Sequence, residues 1–286
     1  MQTIDLHTHS TASDGTYTPT ELIEYAAEKK LAAIALTDHD TLDGIAEAQK
    51  ASEKFGVKVI NGAEFSTMYD KISLHIIGLF LPPDASDIKS KLEYMKNARE
   101  RRNIKMLENL QNMGIEISLE DLKAQFPDSI ISRAHIAQLL QQKGYVGSKN
   151  EAFDRYIGSR CKAYVEKESL SPKETIELIK KAGGLAVWAH PVLCRVSDFT
   201  LDKITAELKE YGLDAIEVHY PAYTAAETKY IKHLAEKYTL AHSGGSDFHG
   251  DIKPGLDLGT GYGKLCVPYE ILEKLEKLRS DNNVGQ

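Results

Sequence analysis

The order of apolar and amphipathic segments predicts an α/β protein, a parallel sheet with alternating helices that is interrupted by a helical insertion. Three observations carry this reading. Short apolar runs alternate with helical patterns at both ends of the chain, helical patterns alone follow one another between residues 86 and 165, and ionisable residues gather just after the apolar runs. With 286 residues, 42% of them hydrophobic, the chain can bury a sizeable core in one large single domain or in a domain carrying an insertion.

The first strand is "TIDLH". In "TPTELIEYAAEKKL" Thr18 reads as a helix cap, Pro19 as the first helical residue and Glu21 as the partner that completes a capping box. "AAIALTDHD" is a continuous apolar strand that ends in polar residues, "TLDGIAEAQKASEKFG" a helix closed by Gly56, "VKVINGAEFS" the third strand and "SLHIIGLF" a fourth. Apolar runs without alternation imply strands buried on both faces, as in an α/β barrel or a doubly wound sheet, and such folds place function at the carboxyl ends of their strands. From Ser86 four helical patterns succeed one another, ending in "NEAFDRYIG". The rhythm of helix and strand resumes at "SPKETIELIKKAGGLAVWAHP", where Ser171, Pro172 and Glu174 mark a helix start, and continues through "LDAIEVHYP" and "LAHSGGSDFHG". Only the tail "RSDNNVGQ" reads as disordered.

Composition narrows the function. A net charge of −7 argues against a protein held to long nucleic acid by bulk electrostatics, while leaving room for a local pocket that captures a phosphorylated small molecule. Cys161, Cys194 and Cys266 are widely spaced and form no C-x-x-C pair, so neither a disulfide framework nor a thiolate zinc site is expected. No basic and apolar leader and no run of about 18 apolar residues occurs, which predicts a cytoplasmic protein without a membrane span. No obligate protein partner is evident.

Seven of the ten histidines, all but His135, His219 and His233, lie at or near predicted strand ends. On a strand, residues i and i+2 face one side, so His7 and His9 point into one space. Asp14 follows them, Asp38 and His39 end the second strand, Glu64 belongs to the third, His75 to the fourth, His190 follows the fifth, and Asp247 and His249 follow the last. Several imidazoles mixed with a few carboxylates suit two or three transition-metal ions better than calcium or magnesium. Asp38 is expected to orient a ligand histidine. His233 reads as a surface residue, His242 as packed under the "SGGSD" turn, and His219 as lining a pocket mouth or idle.

"DLHTHSTASDGTYTP", "ALTDHDT", "GAEFS" and "GGSDFHG", with "AHP" between the last two, resemble the motifs of the polymerase and histidinol phosphatase (PHP) phosphoesterases. The resemblance runs in order over nearly the whole chain and is strongest to stand-alone members with a helical insertion, which act on 3′,5′-nucleoside bisphosphates or trim RNA 5′ ends. It implies a distorted (β/α)7 TIM-like barrel, residues 1–85 and 166–286, with the helical insertion 86–165 selecting substrate. It also implies a trinuclear metal centre: His7, His9, Glu64 and Asp247 on one ion, Glu64, His75 and His190 on a second, Asp14, His39 and His249 on a third. Manganese is the first expectation, and zinc or iron would accept the same ligands.

Such ions make phosphate ester hydrolysis the expected reaction, a water bridging two of them losing its proton near neutral pH and attacking phosphorus in line. No general acid for the leaving group is assigned. In the insertion, Ser132, Arg133 and His135 stand at a helix start, where free N–H groups and a guanidinium fork favour phosphate, and Arg160 joins them as a candidate. "ARERRNIK" reads as a solvated, ion-paired helix face. The alternatives are histidinol-phosphate hydrolysis, a polymerase-associated proofreading module, and a metal-binding regulatory domain without catalysis.

Overall fold

A computed structural model describes residues 2–84, 86–127, 131–166 and 168–284, apart from the side chain of residue 284. The chain forms two compact units, one made of residues up to Lys91 together with those from Leu170 onward, the other of Leu92–Ser169.

The first unit is a nearly closed mixed barrel. Its wall is β1 (Thr3–Thr8), β2 (Ala33–Leu36), β3 (Lys58–Tyr69), β4 (Ile72–Leu79), β5 (Leu185–Ala189), β6 (Ala215–His219) and β7 (Ala241–Gly244), neighbours in that order, with the two-residue β8 (Val267–Pro268) added beside β1. Ile4, Leu6, Ala33, Ala35, Ile77, Leu79, Val187 and Ala215 share one apolar cluster with Leu272 and Leu275. The helix α1 (Pro19–Glu28) starts with the capping box expected of Thr18 and Glu21, and α2 (Ile45–Phe55) ends on Gly56 at φ 72°, a left-handed cap that glycine adopts without strain.

Two features depart from a regular parallel barrel. Only Asp70 and Lys71 separate β3 from β4, too few residues for a crossover, so β4 folds back as a hairpin and runs antiparallel to both β3 and β5. The expectation of a wholly parallel sheet is corrected there. Closure is also irregular. The free edge of β1 is divided between β8, which pairs antiparallel with Thr3 and Ile4, and the segment after β7, where Asp247 N–H donates to the His7 carbonyl (2.8 Å) and His9 N–H to the Phe248 carbonyl (2.9 Å).

The tail is helical through residue 284, within the last helix (Glu270–Val284), which corrects the expected disorder; residues 285 and 286 lie outside the described residues. Its polar sequence is held by specific contacts: Arg279 Nε donates to the Gly183 carbonyl (3.0 Å) and its guanidinium lies over Phe80, while Asn282 Nδ2 donates to Asp214 Oδ1 (3.1 Å).

The second unit is helical, with α3 (Ser86–Asn112) continuing into it from its first turns, followed by α4 (Leu119–Gln125), α5 (Arg133–Gln142) and α6 (Lys149–Ala152). Met106, Leu110, Ile115, Ile136 and Leu140 form its core. Arg99 and Arg102 are buried, 7% exposed each, so the expected solvated face of "ARERRNIK" is corrected at these two positions. Among the described residues no helix is long and apolar enough to cross a membrane.

Barrel closure gives a prediction. A Cβ at Gly245 would sit 2.4 Å from the backbone nitrogen of His7, an overlap that only a backbone shift relieves. Gly245→Ala is expected to lower stability by about 1–3 kcal/mol or more, read as a drop of several degrees in Tm. Gly147→Ala, where the nearest atom is a side-chain oxygen at 3.4 Å, should leave Tm nearly unchanged.

Candidate metal centre

The site is organised by Glu64 in β3, a carboxylate that is fully buried. His75 Nδ1 lies 2.7 Å and His190 Nε2 2.9 Å from its Oε1, while His39 Nδ1, His9 Nε2 and His7 Nε2 lie 3.0, 3.2 and 3.4 Å from its Oε2. Five imidazoles from four elements thus face one carboxylate. The reversal of β4 explains why His75 takes part: it opposes Ser66 on β3 and Ala189 on β5, so the first half of β4 reaches the end where the other strands finish.

Asp247 and Asp14 extend the cluster. Asp247 Oδ1 is 3.3 Å from His9 Nε2, 3.5 Å from His7 Nε2 and 3.4 Å from His249 Nδ1, and Asp14 Oδ1 is 3.2 Å from His249 Nε2 and 3.9 Å from His39 Nε2. The other oxygen of Asp247 is occupied, since Tyr220 donates its hydroxyl to Oδ2 (2.8 Å) and Lys253 Nζ sits 2.5 Å away. Only Oδ1 is left facing the histidines.

The groups fit metal ions better than they fit each other. His7 Nε2, both ring nitrogens of His9, His39 Nδ1 and Glu64 Oε2 are buried and make no hydrogen bond among the described residues, although carboxylate oxygens and imidazoles stand 3.0–3.5 Å apart. Orphaned buried polar atoms are costly, and aimed at a common space they are what an ion would satisfy. Four overlapping groups have donor atoms close enough for one ion each: His9, Asp14, His39 and His249; His7, Glu64 and His190; His7, His9 and Asp247; His39, Glu64 and His75.

Electrostatics agree. Burial disfavours ionised Glu64, yet His75, His39 and His7 hold its carboxyl well below the usual range; His39 and His249 do the same for Asp14, and Lys253, His7 and His249 for Asp247. Burial also opposes charge on His9, but Asp247 and Glu64 outweigh it and push the imidazole up to about 9. Burial wins at His39, which falls to about 3.

Asp38 does something other than orient a histidine, and that expectation is corrected. Its oxygens accept from Ser10 N–H (2.7 Å), Ser10 Oγ (2.7 Å) and Ser13 Oγ (2.6 Å), pinning the loop that carries Asp14. In the second unit Ser132 Oγ accepts from Ala134 N–H, His135 Nδ1 accepts from Ser132 N–H, and the His135 ring stacks on Phe126 at 4.2 Å, so both residues cap and pack α5. Arg133 is half-buried, its guanidinium over the rings of Phe153 (5.7 Å) and Tyr164 (5.6 Å), and Arg160 is exposed. His233 is exposed, and His219 and His242 face each other at 6.5 Å.

Glu217 and Asp5 were not singled out from the sequence. Glu217 Oε1 accepts from His7 Nδ1 (3.1 Å) and Oε2 from His190 N–H (2.7 Å), while the register irregularity after it turns His219 away. Asp5 accepts from Ser246 N–H and Oγ, Gly259 N–H and His7 N–H, tying β1 to the segment after β7; burial pushes its carboxyl up to about 6 against those bonds. Each is an acid inside an apolar run, "AIEVH" and "TIDLH", which is the signal that could have found them.

Residues 5–240 match the family model described as PHP domain. The chain is 36% identical over 245 residues to a 5′-3′ exoribonuclease of Haemophilus influenzae, covering 86% of this chain and 89% of that one. It is 33% identical over 261 residues to a 3′,5′-nucleoside bisphosphate phosphatase of Chromobacterium violaceum, covering 91% of each. Among solved structures, a proposed metal-dependent phosphoesterase of Bifidobacterium adolescentis superposes with a TM-score of 0.85 at 32% identity, over 97% of this chain and 96% of that one.

Glu217→Gln keeps the size of the side chain and removes the charge behind His7. Metal affinity is expected to fall about 10- to 100-fold, measured by competition with a chelator. Affinity in the unaltered protein should rise with pH towards 9, because an entering ion must displace the proton on His9.

Proposed function

Because the chain belongs to the PHP domain family, we propose that it is a metal-dependent phosphoesterase that hydrolyses a phosphate ester of a nucleotide-like substrate, a 3′,5′-nucleoside bisphosphate or a short oligonucleotide. The observation that carries this reading is the set of four overlapping ligand groups joined through Glu64, His7, His9 and His39. The names of the exoribonuclease and bisphosphate phosphatase relatives support the substrate class. Histidinol phosphate is disfavoured, since neither relative is named for it.

We assign His7, His9, Glu64 and Asp247 to one ion, Glu64, His75 and His190 to a second, and Asp14, His39 and His249 to a third, with manganese the first choice of metal. When bound, such ions supply Lewis acidity towards phosphate oxygens and lower the pKa of water. The chain's own groups fix where that chemistry happens. Glu217 and the Asp247 clamp of Tyr220 and Lys253 hold donor atoms in place, and the burial of Glu64 excludes water that would compete for them. Arg133 is our candidate for a second phosphate: burial lowers its affinity for the proton, Arg99 adds to that, and no carboxylate among the described residues pairs with it. Free thiols at Cys161, Cys194 and Cys266 fit a cytoplasmic setting.

Metal content and turnover should fall together in Asp247→Ala and His9→Ala, followed by elemental analysis and phosphate release, whereas His233→Ala should alter neither. Full metal content and rate in Asp247→Ala would overturn the assignment. For Arg133→Ala, kcat/KM on a nucleoside bisphosphate should drop roughly ten- to a hundredfold, as expected for losing a charged hydrogen bond worth about 1.5–3 kcal/mol. An aryl phosphate, with no second phosphate, should be cleaved almost as before.

A further inference from the structure

Two carboxylates at the candidate metal centre are presented differently. Glu64 turns both oxygens to imidazoles, His75 and His190 on Oε1 and His39, His9 and His7 on Oε2. Asp247 turns only Oδ1 to them, towards His9, His7 and His249. Its Oδ2 accepts from the Tyr220 hydroxyl (2.8 Å) and from Lys253 Nζ (2.5 Å), and the same ammonium donates to the Asp247 carbonyl (3.0 Å). Lys253 thus grips one residue by its side chain and its backbone together, which fixes the rotation of the carboxylate as well as its place.

The lysine is more than the fold requires at this point. Tyr220 already satisfies Oδ2, and its ring is packed against Tyr223 (5.1 Å between centroids) and His190 (5.6 Å). An ammonium beside groups that gather dications opposes their binding, because like charges a few ångströms apart repel; the Asp247 side chain is 7% exposed and that of Lys253 30%, so water screens the repulsion only in part. Yet the lysine is carried on a braced turn. Gly250, left-handed at φ 67°, lies so close to Thr16 and Tyr17 that a Cβ there would overlap them, and the next residue, Asp251, donates its N–H to Thr16 Oγ1 (3.0 Å). What the charge achieves is geometric. A carboxylate can meet a cation with one oxygen or with two, and one whose second oxygen is held elsewhere fills a single coordination position.

We propose that Lys253, together with Tyr220, is a positioning residue that holds Asp247 to one donor oxygen, weakening metal binding but leaving a coordination position for the substrate phosphate. The inference rests on the phosphoesterase reading above and assigns to it residues that act through Asp247 without touching substrate. Its signature is a pair of opposite effects: releasing the clamp tightens metal and slows turnover.

Lys253→Met nearly keeps the length of the side chain and removes its charge. In the full-length protein, manganese affinity measured by competition with a chelator is expected to rise about tenfold or more. On adenosine 3′,5′-bisphosphate, kcat should fall by a similar factor with KM nearly unchanged, and Lys253→Arg, which restores the charge, should return both quantities towards the parent. Adding Tyr220→Phe to Lys253→Met alters no charge but frees Oδ2 entirely, so affinity should rise again by about three- to tenfold, which repulsion alone does not predict. Tyr220→Phe by itself keeps the ring and should move affinity and kcat in the same directions by less, and it carries the test should Lys253→Met not fold. Unchanged or weaker metal binding in Lys253→Met, no further gain in the double variant, or an unchanged kcat would overturn the proposal, and so would a loss confined to KM, which would put the ammonium on the substrate itself. Should the parent bind manganese and cleave no phosphate ester, the phosphoesterase reading fails and the affinities still decide the clamp: stepwise tightening supports it, and its absence rejects it. A parent that binds no divalent metal overturns both.

Discussion

Everything at the functional end of the barrel depends on one buried carboxylate facing five imidazoles. Glu64 has no bulk water to stabilise its charge and, among the described residues, no lysine or arginine beside it; the imidazoles that face it hold its carboxyl well below the usual range. In such surroundings a proton on each ring is a poor counter-charge, because the rings repel one another, as His9 does towards His39 and His249. A dication concentrates the same charge at one point and lets the rings stay neutral. The architecture follows from that requirement. Histidines must arrive from several strands at one place, which a closed barrel with ordered strand ends supplies and a flat open sheet does not.

Much of this was legible in the residues. The alternation of strands and helices, the capping boxes at Thr18 and Ser171 and the glycine stop at Gly56 all lie where local pattern puts them, because each is settled by contacts within a few residues. The histidines were visible because they follow apolar runs. His75 was the exception that precedes one, and its reason is the hairpin: on a strand that runs backwards, the functional end comes first. Nothing in "SLHIIGLF" states the direction of the strand; the two residues between β3 and β4 do.

The misses share a physical origin. Glu217 and Asp5 act across 210 and 241 positions of sequence, on His7 and Ser246, so no local pattern announces their partners. Asp38 stands among histidine ligands in the sequence and reads as the acceptor that orients one of them, whereas its carboxylate turns to the serines of another loop. Arg99 and Arg102 look solvated in a run of charges, yet they lie on a helix face that the fold covers. Burial of a charged residue depends on what packs against it, and that is a property of the fold.

The backbone shows how rigidly the site is built. Asp247 at φ 55°, Asp40 at φ 53° and His190 at φ 30° are left-handed residues with side chains, each of which would relax if released. Each is held by bonds to another element: Tyr220 and Lys253 on the Asp247 carboxylate, Ser66 N–H and Oγ on that of Asp40, and Glu217 Oε2 on the His190 amide. The strain is therefore sustained by the same strands that carry the donor atoms. Metal ligands fixed in this way lose little freedom when an ion enters, so the cost of ordering the site falls on folding rather than on binding. A barrel whose wall is paid for by its apolar core can carry that cost, which is why the irregular closure after β7 is fastened by Asp5 and by backbone bonds to β1 rather than left as an open edge.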